Sequence, residues 1–90
     1  MSSSDEALGL QFPCRFPIKV MGKQTASFRP LVADIVNRHV MQEHQISLSE
    51  RSSKAARYLS ITITIEAQNR QQLDDLYRQL SGHPDIMMVL

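Results

Sequence analysis

The fold is decided by the stretch Arg57-Tyr58-Leu59-Ser60-Ile61-Thr62-Ile63-Thr64-Ile65-Glu66-Ala67. Every second residue from Leu59 to Ala67 is apolar, and those between them, from Tyr58 to Glu66, are polar or bear a polar group. A period of two over this length predicts a β-strand with one face in a hydrophobic core and one polar face. We therefore expect an open sheet that is covered on one side only.

Three other segments alternate in the same way. Residues 16–21 form a predicted first strand, which Gly22 ends. Residues 44–49 form a weaker second strand, and residues 51–56 make a polar hairpin connection to the strong strand. Residues 86–90 form the last strand, in which the two methionines are expected to fill gaps at the core and at the sheet face.

A first helix is predicted to begin near Ser27. Thr25 or Ser27 can cap it, and Pro30 falls in the first turn, where a lost N–H costs little. From Phe28 to Val40 the apolar residues recur three or four positions apart, so the helix has one apolar stripe.

A second helix is predicted after Asn69. Asn69 can cap it, and Gln72 stands three positions on, as a capping box prefers. Gly82 is a natural stop. Its inward-facing residues are Leu73, Leu76, Tyr77 and Leu80.

The resulting order, β-α-β-β-α-β, predicts an α+β fold. Right-handed crossovers applied to this order give the ferredoxin-like sandwich, a four-stranded antiparallel sheet with two helices on one face. The first and third strands are then central, and the second and fourth lie at the edges. We expect residues 1–11 to be a flexible tail and residues 12–90 to be a single domain.

Charge and composition narrow the classes of partner. Ten Lys and Arg against nine Asp and Glu leave a net charge of +1, whereas a dedicated nucleic-acid binder usually has a strong basic patch. No apolar run approaches the roughly 20 residues of a membrane span. Cys14 is the only cysteine, and residues 1–6 do not resemble a secretory signal. We expect a cytoplasmic protein without nucleic-acid or membrane partners.

No set of residues indicates catalysis, a metal or a cofactor. Cys14 lies beside Arg15, but a nucleophilic cysteine also needs a base and an oxyanion site. The histidines at positions 39, 44 and 83 are scattered, and the first loop has no Cys-x-x-Cys pair. We therefore expect a protein that is not an enzyme and holds neither a metal nor a cofactor.

Two functional classes share the element order. Acylphosphatases hold phosphate on the first loop, but this chain matches them only in an arginine near the helix start, Arg29, and has no glycine-rich cradle. RNA-recognition motifs need stacking aromatic residues on the central strands, where this chain has one tyrosine, Tyr58. Neither class is favoured.

The turn between the first strand and the first helix is the candidate ligand site. Free N–H groups at a helix start can hold an anion or a carboxylate, and nearby side chains can add a charge and hydroxyl groups. The simpler alternative is a turn and a helix cap without a ligand. The candidate residues are Gly22, Lys23, Gln24, Thr25 and Ser27.

The polar face of the sheet is the candidate interaction surface. An uncovered sheet faces solvent, a ligand or another protein, and a row of Ser and Thr is compatible with plain solvent. An exposed edge strand is a further place for pairing. The candidate residues on this face are Lys19, Met21, Tyr58, Ser60, Thr62 and Thr64.

Short motifs follow one another along most of the chain beyond residue 11. They are Phe12-Pro13, Phe16, Lys19-Val20-Met21-Gly22, Pro30-Leu31-Val32, Ser52-Ser53-Lys54, Tyr58 with the Ser60–Ile63 strand, Leu76-Tyr77-Arg78-Gln79-Leu80 and Met88-Val89-Leu90. In this order and spacing the chain resembles the small YbeD-like family of uncharacterised bacterial proteins. That family often has a glycine just after Ser-Ser-Lys. Here Ala55-Ala56 stand there and the loop is one residue longer, which is unfavourable if the hairpin needs positive φ.

The resemblance implies a ferredoxin-like domain similar to the ACT-type regulatory domains. Those domains bind small ligands, often amino acids, on metabolic enzymes, and they commonly pair with one another. A link to lipoate metabolism is suggested for the family by gene neighbourhood. The resemblance therefore implies a homodimeric, non-catalytic regulatory domain with a small-molecule effector and an enzyme partner. The alternative is a protein–protein adaptor that uses the sheet face or an edge and takes no small ligand.

Overall fold

Four strands and two helices follow one another in the predicted order. The computed structural model describes residues 11–42 and 45–90. The elements are β1 (Cys14–Lys23), α1 (Phe28–His39), β2 (Ile46–Ser52), β3 (Tyr58–Ala67), α2 (Arg70–Ser81) and β4 (Ile86–Val89), with a 3₁₀ turn at Lys54–Ala56 before β3. All neighbouring strands are antiparallel, in the order β2-β3-β1-β4. The prediction of a ferredoxin-like fold with β1 and β3 at the centre is confirmed.

The pairing of β1 with β3 sets the position of the core. These strands match ten residues to ten, from Cys14 opposite Ala67 to Lys23 opposite Tyr58. Directly opposite residues share a face, so one face of the pair is entirely apolar. Its fully buried residues, each at most 3% exposed, are Ile18, Val20, Leu59, Ile61, Ile63, Ile65 and Ala67.

Both helices cover that apolar face. α1 buries Phe28, Val32, Ile35 and Val36, and α2 buries Leu73, Leu76 and Leu80. Each set recurs at three- and four-residue spacing, which places it on one side of its helix. The open side of the sheet carries no helix of the described residues.

The predicted cap of α2 is confirmed, and it also ties the two helices together. The Oδ1 atom of Asn69 accepts from the Gln72 backbone N–H at 2.9 Å. The Gln72 side chain accepts from the Gln68 N–H at 2.7 Å and donates to the His39 carbonyl at 2.7 Å. The start of α2 is therefore held to the last residue of α1.

The cap of α1 differs from the prediction. Ser27 occupies the N-cap position, but its side chain accepts no backbone N–H. Its backbone is already helical, with φ −90° and ψ −10°, whereas a capping serine usually has extended backbone that directs its oxygen to the first turn. The Ser27 hydroxyl instead lies 3.2 Å from the Thr25 hydroxyl, and both residues are exposed.

The second strand also begins and ends later than predicted. β2 runs from Ile46 to Ser52, so the expected polar connection shortens to the residues around the 3₁₀ turn. The ladder with β3 extends to Ser52 opposite Leu59, although residues 50–52 are all polar. His44, the predicted first residue of the strand, lies outside the described residues.

The methionine of β4 that was expected in the core is on the surface. Met87 is 57% exposed. The pairing of β1 with β4 shifts between Met21 and Gly22, so Ile86 takes the core position opposite Gly22 and Met87 stands at the irregularity. Met88 lies opposite Met21 on the sheet face, as predicted.

Gly22 lies within β1 rather than ending it, because the strand continues to Lys23. A Cβ atom at this position would collide with the ring of Phe28 and lie 2.7 Å from the Asp85 carbonyl oxygen. Glycine therefore allows the first helix and the β4 connection to approach the end of β1 closely.

We predict that Gly22→Ala lowers the free energy of unfolding by roughly 1–3 kcal/mol, as overpacking of a tight core does. Phe28 is buried and the second contact is backbone, so neither can move aside easily. Urea unfolding measures the loss. Gly82→Ala is the matched control, since its Cβ would lie 3.0 Å from one carbonyl oxygen. Equal losses of stability in the two variants would contradict the steric role assigned to Gly22.

The turn between β2 and β3 contains two alanines in the left-handed region. Ala55 has φ 66° and Ala56 has φ 52°. L-residues pay about 1–2 kcal/mol for this conformation, which the alternation of the flanking strands imposes by fixing the hairpin register. The unfavourable geometry expected from the missing glycine is therefore present.

We predict that Ala55→Gly stabilises the protein by about 0.5–1 kcal/mol, because glycine removes the steric cost but adds freedom to the unfolded chain. Thermal unfolding measures the gain. Ala33→Gly, inside α1, is the control and should destabilise by about 1 kcal/mol. A loss of stability in Ala55→Gly would show that the positive φ is not strained.

Candidate functional site

The predicted ligand residues lie at the end of β1 and in the loop that follows it. Gly22 and Lys23 belong to the strand, and the other three residues lead to α1. The Gln24 N–H donates to the Arg57 carbonyl at 2.9 Å, and the Phe28 N–H donates to the Thr25 carbonyl at 3.2 Å. The loop is therefore fixed to the start of β3 on one side and to the helix on the other.

A depression of about 290 Å³ lies between this loop and the connection to β4. Three of the five predicted residues line it. Gly22 and Gln24 do not, although Gly22 allows the close approach of the two loops. The lining residues are Lys23, Thr25, Ser27, Phe28, Pro84, Asp85 and Met87.

Sequence reasoning missed the half of this depression that comes from Pro84, Asp85 and Met87. They lie about sixty positions further along the chain, and the pairing of Gly22 with Ile86 brings them to the loop. A signal was available, because the predicted strand order places the start of the last strand beside the end of the first.

The depression has opposite charges and an apolar floor. Lys23 and Asp85 both line it, and neither forms an ion pair within residues 11–42 and 45–90. The buried ring of Phe28 and the side chain of Met87 supply apolar surface, and Thr25 and Ser27 supply hydroxyl groups. This arrangement suits a small molecule that carries both a negative and a positive group.

A second depression, of about 300 Å³, lies on the other side of the same loop. It shares Lys23 and Thr25 with the first. Within the described part of the chain, the Oε1 atom of Gln24 is the one buried side-chain oxygen or nitrogen without a hydrogen-bond partner. The lining residues are Lys23, Gln24, Thr25, Ala56, Arg57 and Tyr58.

The predicted interaction residues lie on the open face of the sheet. Lys19 is opposite Thr62, and Met21 is opposite Ser60, while Thr64 continues the row along β3. Tyr58, at the start of β3, is exposed. The face contains a shallow depression of about 320 Å³, lined by Lys19, Met21, Arg51, Ser52, Ser53, Tyr58 and Ser60.

Arg51 is the residue of this face that sequence reasoning missed. It was assigned to a polar connection, but β2 continues through it and places it opposite Ser60. Residues 50–52 are all polar, so the apolar alternation stops at Leu48 and does not indicate that the strand continues.

The resolved shifts in pKa lie away from these depressions. Arg29 donates a hydrogen bond to Glu50, which lowers the pKa of the Glu50 carboxyl group and raises the pKa of Arg29. Burial raises the pKa of Tyr77, whose ring packs edge to face against Phe16 with centroids 6.4 Å apart. Arg29, Glu50, Phe16 and Tyr77 all lie outside the linings of the three depressions described above.

A metal-binding cluster and a membrane-spanning helix are both absent from residues 11–42 and 45–90. In them, no three or more His, Cys, Asp or Glu side chains are grouped so that they could hold a metal ion. Nor does any helix there have the length and apolar character needed to cross a membrane.

The element order and the strand topology define a ferredoxin-like α+β domain. The chain belongs to the family described as "Protein of unknown function (DUF493)", which matches residues 8–90. This confirms the resemblance to the YbeD-like proteins.

Relatives in several bacteria are similar along almost the whole chain, and each is called "UPF0250 protein". The protein of Janthinobacterium sp. is 44% identical over 81 residues, which cover 90% of this chain and 89% of the relative. That of Chromobacterium violaceum is 41% identical over 88 residues, covering 97% and 99%. That of Paraburkholderia phytofirmans is 40% identical over 90 residues, covering all of both chains.

A solved structure supports the fold. The solution structure of protein HP0495 from H. pylori superposes with a TM-score of 0.76 at 15% identity, over 100% of this chain and 94% of that chain. A second solution structure of HP0495 gives a TM-score of 0.58 over 88% and 87% of the two chains, also at 15% identity. At this identity the likeness concerns the fold alone.

Proposed function

We propose that this protein is a non-catalytic regulatory domain that binds a small metabolite and modulates a metabolic enzyme on another chain. The observation that carries the proposal is the depression between the first loop and the β4 connection, where Lys23 and Asp85 line one apolar-floored space.

The lining residues favour a zwitterion such as an amino acid. A carboxylate can bind Lys23 and the hydroxyls of Thr25 and Ser27 near the start of α1, where the helix dipole favours negative charge. An ammonium group can bind Asp85, and a short apolar side chain can rest on Phe28. The likeness to ACT-type domains supports this class of ligand, and the suggested link to lipoate metabolism supports lipoate or octanoate as the other compounds to test.

The proposal includes a homodimer in the cytoplasm. β2 is an edge strand, and an unpaired edge is a template for another strand. Leu48 on this strand is 51% exposed beside a groove of about 210 Å³ lined by Ala33, Val36, Asn37, Ile46 and Leu48. Pairing of two copies of β2 in the antiparallel sense would cover this groove.

A second candidate function is a protein–protein adaptor without a small ligand. The observation in its favour is the open face of the sheet, on which no described helix packs. Polar residues along β3 and exposed apolar residues on β4 lie on the same face. A partner protein seated on this face would cover both.

We predict that one compound in a panel of amino acids, lipoate, octanoate, nucleotides and common cofactors raises the thermal midpoint. A ligand at about 100 times its Kd adds roughly 2.7 kcal/mol of stability. In a domain this small each kcal/mol raises the midpoint by about 4–8 °C, so a shift of about ten degrees or more is expected. A flat panel would contradict the regulatory proposal and favour the adaptor.

We further predict that Lys23→Gln and Asp85→Asn each weaken binding of that compound by about 10- to 100-fold. A hydrogen bond to a charged group contributes about 1.5–3 kcal/mol. Calorimetry measures Kd for each variant. Arg78→Gln and Asp74→Asn, on the exposed side of α2, are matched controls and should bind as the unmodified protein does. Loss of binding in the controls, or normal binding in both site variants, would contradict the placement of the ligand between Lys23 and Asp85.

A further inference from the structure

The positive charges of this protein are sorted between its two layers. On the helices, Arg29, Arg38, Arg70 and Arg78 form ion pairs, with Glu50, Asp34, Asp74 and Asp75 respectively. On the sheet side, five cations form no ion pair with any residue in the described ranges. They are Arg15, Lys19, Lys23, Arg51 and Arg57. The arginines of the helical layer are therefore neutralised by acidic partners, whereas the five cations on the sheet side are not.

The strand register places four of the five on the open face. Lys19 lies opposite Thr62, Lys23 opposite Tyr58, and Arg51 opposite Ser60. Arg15 lies opposite Glu66, at the far end. Opposite residues in an antiparallel sheet share a face, and the core face is occupied by the alternate, apolar positions. Arg57 precedes β3 beside this patch.

Few acidic side chains lie near these cations: Asp85 lines the loop depression with Lys23, and Glu66 lies opposite Arg15. On the open face of the described strands the one carboxylate side chain is that of Glu66, at the end of β3 remote from Tyr58. Its Oε1 atom already accepts hydrogen bonds from the side-chain amides of Gln45, at 3.0 Å, and Gln68, at 3.2 Å. Glu50 is on the opposite face of β2, where Arg29 binds it. The half of the face near Tyr58 is therefore cationic.

An apolar strip borders the cations. Met21 lies opposite Met88, which is 48% exposed. Leu90, which is 65% exposed, exchanges two backbone hydrogen bonds with Lys19, at 3.0 and 2.8 Å, and so stands beside it on the same face. Methionine side chains adapt to varied partners. Together Met21, Met88 and Leu90 form an apolar strip next to unpaired positive charge.

We propose that the open face of the sheet binds an acidic, amphipathic segment of a partner protein. Its carboxylates would pair with Lys19, Lys23 and Arg51, and its apolar side chains would pack on Met21 and Met88. Protein interfaces combine apolar contact area with polar and charged surroundings, and complementary charge gives such an interface its orientation and association rate. A single tyrosine, Tyr58, does not make the stacking platform that single-stranded nucleic acid requires.

This inference rests on the second candidate function, the adaptor, and gives the chemistry of its partner. Its binding residues differ from those of the small-ligand depression except for Lys23, which lies on the open face by register and also lines that depression. Variants for its test therefore leave Lys23 and Asp85 unchanged.

The test places a photo-crosslinking amino acid at Thr62, in the middle of the open face, in the full chain expressed in cells of the source bacterium. The same amino acid at Gln71, exposed on α2, is the matched control. We expect an adduct from Thr62 and not from Gln71, and the peptide attached to it should come from another protein and be both acidic and apolar.

Charge-reversal variants form the second part of this test. Lys19→Glu combined with Arg51→Glu should reduce the Thr62 adduct by about tenfold or more, since like charges across an interface cost several kcal/mol. Arg38→Glu combined with Arg78→Glu changes the net charge equally on the helical layer and should leave the adduct unchanged. Circular dichroism checks that each variant is folded.

The failures of this inference and of the adaptor function are distinguishable. No adduct from Thr62 overturns both. An adduct with a neutral or basic protein segment, or one that charge reversal does not reduce, overturns the acidic partner alone. Adducts with nucleic acid, with lipid or with a second copy of this chain overturn the inference and identify what covers the face instead.

Discussion

The pairing of β1 with β3 in a single register is the constraint on which the rest of the molecule depends. A slip of one residue would turn every side chain of a strand to the other face. Lys19 would then enter the core, and Ile18 and Val20 would meet solvent. At about 25 cal/mol per Å² of apolar surface, exposure of several such side chains would exceed the modest stability of a domain this small. The burial of the apolar face therefore determines which side chains are exposed on the open face.

From that pairing follow the positions of both candidate sites. The end of β1 that contains Gly22 and Lys23 lies next to the start of β3, and the close approach at Gly22 brings the β4 connection to the same place. The open face is simply the reverse side of the buried one. A ligand at the loop and a partner on the face would both contact β1, which gives a physical route by which one could affect the other.

The strained turn before β3 has a structural role in this arrangement. Ala55 and Ala56 take left-handed backbone, and the chain then passes to Arg57, whose carbonyl accepts the Gln24 N–H. The Tyr58 N–H donates to the Ser53 hydroxyl at 3.0 Å, which closes the turn from the other side. The hairpin thus holds the candidate loop by a backbone hydrogen bond, and the surrounding ladder maintains the unfavourable φ angles.

The sequence by itself determined the element order, the two central strands, the buried face and the cap at Asn69, because each depends on residues close together in the chain. It also indicated Lys23, Thr25 and Ser27, and the row from Ser60 to Thr64. Only the tertiary structure brought Asp85 and Met87 to the loop, extended β2 so that Arg51 joined the face, and put Met87 on the surface. The reason is physical: periodicity records which face a residue takes, but the contacts between distant segments depend on strand register, irregular pairing and steric fit, as at Gly22 against Phe28.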